Sequence, residues 1–160
     1  MNRRLAVALL GVIAIVSLVF NAVLWKSVRN ERDVYNTLVY EQLAMNLRSE
    51  LHTAAGYTLA PEPQYAFSAM FIHGAINDLQ QLNKPFTQQG ILFVQDIIIR
   101  LSSVQDDFVN NQNVSAKTLS SDRQYIQQVY NIIESKCYPK GHILKAALPE
   151  AFAEIHSLPQ

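Results

Sequence analysis

The chain has 160 residues, 49% of them hydrophobic, and its thirteen basic and thirteen acidic side chains cancel. Balanced, scattered charge leaves no field to recruit nucleic acid or an acidic polymer, so no nucleic-acid partner is expected. A lone cysteine, Cys137, excludes an intrachain disulfide, and the domain must be held by packing.

Arg3 and Arg4 close a short tail, residues 1–4, ahead of an uncharged apolar run over residues 5–25. As a helix rising about 1.5 Å per residue, the run spans roughly 31 Å, which matches a hydrocarbon core of about 30 Å. Thirteen of its residues are Leu, Ile, Val or Phe, favouring insertion by roughly 4 to 8 kcal/mol at most. Trp25 and Lys26 fit an interfacial exit flank. A cleaved signal peptide fits less well, because cleavage after Ala22 puts Phe20 where a small residue is wanted. The run therefore predicts a single-pass transmembrane anchor. Lys26, Arg29 and Arg32 nearly balance the leading arginines, so charge alone does not orient it. Its similarity to an uncleaved export signal predicts a cytoplasmic N-terminus and an extracytoplasmic C-terminal domain at the plasma membrane.

No Gly or Pro separates Gly11 from Gly56, so the anchor is expected to continue as the first helix of a domain over residues 26–160. Val34, Leu38, Leu43, Leu47, Leu51 and Ala55, with Tyr35 and Val39, make one helical stripe. Gly56, Pro61 and Pro63 are expected to end it. A second helix over about 64–82 carries Ile72, Ala75, Ile76, Leu79 and Leu82, thickened by Phe67, Met70 and Phe71.

Residues 90–110 contain β-branched runs that suit short strands. Yet Val94, Ile97, Ile98, Leu101, Val104 and Phe108 keep the helical period with no turn between them, which predicts a helix. A fourth helix is expected from Ser121, with Ser121 and Gln124 as a capping box and Ile126, Val129, Tyr130, Ile133 and Cys137 on one face. Pro139 and Gly141 end it. Two short helical pieces follow in residues 142–160, around Ile143, Leu144, Ala147 and Leu148 and then Phe152 and Ile155. The expected fold is all-α: an N-terminal transmembrane helix continuing into an antiparallel four-helix bundle with short C-terminal helical pieces.

No pattern of catalytic, metal-binding or phosphate-cradling residues emerges. His52, His73, His142 and His156 lack a second ligand at metal spacing. Asp106 and Asp107 point about 100° apart on a helix and do not converge, and Glu150 and Glu154 share a face in a tail segment. Cys137 ends an apolar stripe, as a buried structural thiol does. No cofactor is expected. The general plan looks like the sensor regions of bacterial receptors, in architecture only; it is expected to depart from them in lacking a second span and a cytoplasmic output module.

The composition thus predicts a non-enzymatic, membrane-anchored domain that binds a partner or ligand. Its partners would be the lipid bilayer and another membrane or membrane-surface protein, with Gly11, Ala14 and Ser17 as a small face for helix contact. The alternatives are a bundle that carries an apolar small molecule and, further off, an enzyme whose site assembles only on folding.

Overall fold

Within a computed structural model, residues 3–82, 88–139 and 147–159 are described, along with their side chains except at 3–14, 32, 36, 88, 89 and 91. The chain divides into two units, Met1–Val39 and Tyr40–Gln160. Helix α1 (Arg3–Leu59) enters both, as the lack of any Gly or Pro between Gly11 and Gly56 predicts.

The described part of the first unit is helix alone. Trp25 is exposed, with the Arg29 guanidinium 5.6 Å from its ring centre; Lys26 and Ser17 are exposed as well, while Arg3, Arg4, Gly11 and Ala14 lie outside the described side chains. Among the described residues no helix is long and apolar enough to cross a membrane. Of the span expected over 5–25, residues 5–14 lie outside the described side chains, and 15–25 alone fall short of the ~20 residues that a crossing takes. The fold by itself therefore gives that span no support.

The upper part of the expected core stripe also needs correction. Val34, Tyr35 and Leu38 are 60%, 68% and 59% exposed, and burial sets in only from Tyr40 and Leu43 onward, reaching Ala44, Leu47, Leu51, Ala54 and Ala55. Helical periodicity marks an apolar face; whether another element covers that face is a tertiary property.

In the second unit, α1 is followed by α2 (Tyr65–Leu82), α3 (Gln88–Val109), a single 3-10 turn at Asn111–Asn113, α4 (Ala116–Cys137) and α5 (Leu148–His156). The described residues include no strand. α3 is helical despite its β-branched runs because Val94, Ile97, Leu101, Val104 and Phe108 all fall on its buried face, and burial of such a stripe outweighs the small propensity cost of β-branching. Ile98 is partly buried and Ile99, on the opposite face, is exposed.

Cross-helix contacts fix the directions. Tyr57 stacks on Phe67 and Phe71, Ser68 Oγ donates to the Ala54 carbonyl at 3.0 Å, and Tyr65 meets the Phe108 ring. Arg48 pairs with Glu134 and His52 lies against Tyr130; Arg100 covers Tyr125. Rising numbers on α1 meet falling numbers on α4, and the start of α2 meets the end of α1 and the end of α3, as in an antiparallel up-and-down bundle. α5 packs against α3 and α4, burying Leu148, Ala151, Phe152 and Ile155.

Three boundaries differ from the sequence expectation. Gly56 sits inside α1, which continues to Leu59 before the turn holding Pro61 and Pro63. α4 begins five residues before Ser121, capped by Ser115, whose hydroxyl accepts from the Thr118 N–H at 3.1 Å. Pro149 falls in the first turn of α5 instead of dividing two pieces, where its missing N–H costs nothing; the earlier piece, with Ile143 and Leu144, lies outside the described residues. Phe67 and Met70, expected to thicken the α2 stripe, are half-exposed or more.

Candidate functional site: a polar cleft beside α3, α4 and α5

A cleft of about 510 Å³ opens where α3, α4 and the end of α5 meet. α3 supplies Asp96, Arg100, Ser103 and Asp107, successive turns of one face. α4 supplies Thr118, Ser121, Asp122 and Tyr125, and α5 contributes His156. Ile97, Val104 and Ile155 form an apolar floor continuous with the core.

Arg100 is held from two sides. Its guanidinium carbon lies 3.8 Å from the Tyr125 ring centre, and Nη1 donates to the Leu158 carbonyl at 3.4 Å. At the mouth, His156 Nδ1 lies 3.2 Å from Asp96 Oδ2 while its ring tilts against Phe93. Deeper in, Asp122 on α4 and Asp107 on α3 line the same wall, close enough for Asp107 to act on the Asp122 carboxyl. Burial pushes the Asp122 carboxyl up to about 6; Asp107 adds to the rise and Arg100 offsets part of it. Asp122 Oδ2 is buried and without a protein partner, so the cleft keeps one unused acceptor on its wall. Burial likewise raises the Tyr125 hydroxyl to about 12, against the pull of Arg100, and it stays neutral at physiological pH.

The residues singled out from sequence are mostly elsewhere. His52 and His73 are exposed on α1 and α2, and His142 lies outside the described residues. Cys137 is fully buried, and burial lifts its thiol to about 11 although Lys136 works the other way; such a thiol is not a nucleophile near neutrality. Glu154 pairs with Lys136 at 2.8 Å and Glu150 is exposed. Asp106 and Asp107 diverge as expected, the first exposed, yet Asp107 finds its partner on α4. That pairing depends on the register between α3 and α4, which no spacing within one helix reports. Among the described residues, no three His, Cys, Asp or Glu side chains are grouped so as to hold a metal ion.

The chain matches no protein-family model, no curated protein and no solved structure.

Proposed function

We propose that this is a non-enzymatic, membrane-tethered binding domain of sensor or accessory type, whose α3–α4–α5 cleft takes a small polar ligand bearing a cationic group. The cleft carries the reading. Three carboxyls, Asp96, Asp107 and Asp122, line it against one permanent cation, Arg100, whose charge is already engaged by Tyr125 and Leu158. A cation between Asp107 and Asp122 would favour the ionised form of Asp122 and satisfy its Oδ2. The hydroxyls of Ser103, Thr118 and Ser121 suit the polar remainder of such a molecule.

Tethering is supported by residues 5–25 and the Trp25–Lys26 flank, with the domain on the extracytoplasmic side and Gly11, Ala14 and Ser17 facing a membrane partner. A carrier of apolar molecules is less favoured, because the cleft walls carry charged and polar side chains.

Full-length protein in detergent, titrated calorimetrically with a panel of small amines, amino acids and matched anions, tests the cleft. Binding of an amine that weakens at least tenfold in Asp122→Asn supports the reading; preference for anions overturns it. Alkaline extraction of membranes tests the tether, and release of the full chain into the soluble fraction would refute it.

A further inference from the structure

Away from the cleft, a second carboxyl pair joins two helices. The Glu50 carboxyl on α1 lies against α2 at Gly74, one turn from Asp78, close enough that each carboxyl acts on the other, and Asp78 is 8% exposed. Two ionised carboxylates are acceptors only and cannot bond to each other, so a hydrogen bond between them needs a proton on one. Glu50 Oε2 and Asp78 Oδ2 are both buried with no protein partner. Among the described residues, the charged groups acting on the pair are the two carboxyls themselves, with no cation to neutralise them.

The backbone makes room for this contact. Gly74 sits one turn before Asp78, and a Cβ there would overlap the Glu50 carboxyl. The absence of a side chain at 74 lets that carboxyl lie directly against α2.

We propose that Glu50 and Asp78 form a proton-dependent clasp between α1 and α2, closed while the pair shares a proton and forced apart when both carboxyls are ionised. On deprotonation the Glu50 proton passes to solvent. Two like charges then face each other across a helix interface with no counter-ion, a geometry that destabilises the α1–α2 contact. Burial comes first, and Asp78 second, in raising the Glu50 carboxyl to about 7, so the clasp responds to acidity near neutrality. This device is independent of any ligand in the cleft.

The test follows protonated-carboxyl infrared absorbance of the full-length chain in detergent, together with its thermal midpoint, across about pH 5 to 9. In the wild type, one carboxyl band should vanish with a midpoint near 7. It should be missing from Glu50→Gln, whose amide donates permanently to Asp78. The thermal midpoint of Glu50→Gln relative to wild type should rise as pH increases through that midpoint. Gly74→Ala, by displacing the Glu50 carboxyl, should move the band toward the ordinary carboxylate range. If Glu50→Gln does not fold, Asp78→Asn supplies the same comparison. A wild-type protein with no carboxyl titrating above about pH 6, or a Glu50→Gln variant that keeps the band, overturns the clasp.

Discussion

Arg48 on α1 grips Glu134 on α4 with both arms of its guanidinium, across 86 positions of sequence: Nη2 donates to Oε1 at 2.8 Å and Nε donates to Oε2. The same guanidinium carbon lies 4.7 Å from the Tyr138 ring centre. The side chains are 40% and 34% exposed, so solvent screens the pair, and its two-pronged geometry keeps it near the upper end of surface ion pairs, at about 1 kcal/mol. A double-mutant cycle of Arg48→Ala and Glu134→Ala, measured by urea unfolding, should return a coupling of that size, shrinking with added salt. Arg48→Lys should recover only part of it, because an ammonium lacks the planar fork.

Acid should remove that same coupling. The Arg48 hydrogen bonds hold the Glu134 carboxyl below its ordinary value of 4.5. A depressed carboxylate contributes stability that is complete above the unfolded-state value and is lost as pH falls through the lower folded-state value. The coupling should therefore persist down to about pH 4.5 and decline only below it.

Asp122 works in the opposite direction. Its carboxyl is raised from 3.8 to about 6 by burial and by Asp107, so the protonated form is favoured in the folded state. Its contribution is present below 3.8 and is lost as pH rises through about 6. Asp122→Asn, neutral at every pH, should abolish this part of the profile, making the variant's thermal midpoint relative to wild type higher at neutral pH than at about pH 4. An equal offset at both pH values would show that Asp122 titrates normally.

The elements were legible where one helix carries its own pattern. Val94, Ile97, Leu101, Val104 and Phe108 announce α3, and Cys137 takes the buried place that its stripe assigns. What the pattern cannot carry is register between helices. Glu50 and Asp78 are 28 positions apart and Asp107 and Asp122 are 15, and each pair meets only once the bundle has set its vertical offsets. His156 has the same explanation: beside a terminal helix it looks solitary, and docking of α5 sets it at Asp96 and Phe93. Val34, Tyr35 and Leu38 fail conversely, keeping the period of a core face while lying exposed.

α5 is short, and its docking rests on few side chains. Phe152, 1% exposed, is the largest of them. Phe152→Ala should cost about 3–5 kcal/mol, the transfer free energy of the ring plus the void it leaves, and should free the His156 end from Asp96. Met70, 66% exposed on α2, gives the contrast: Met70→Ala should stay within about 0.5 kcal/mol. Urea unfolding of both variants measures the difference, and hydrogen exchange should show residues 148–156 losing protection in the first only.

The start of α4 separates a local signal from a competing one. Ser115 and Ser121 each precede helical sequence, and the Ser121–Gln124 pair has the spacing of a capping box. Ser115 is the actual cap, accepting from Thr118 N–H at 3.1 Å, with its hydroxyl also 2.8 Å from Thr118 Oγ1. Leu119 explains the choice: it is buried at 9% exposure, and starting the helix at Ser121 would leave it outside the helical stripe. Extending α4 by a turn and a half recovers that apolar contact, while Ser121 turns to the cleft wall. Ser115→Ala should therefore cost about 1 kcal/mol, the usual value of a lost N-cap. Ser121→Ala, at an exposed mid-helix position, should be neutral or slightly stabilising, since Ala is the better helix former. Equal losses for the two variants in thermal unfolding would place the helix start at Ser121 after all.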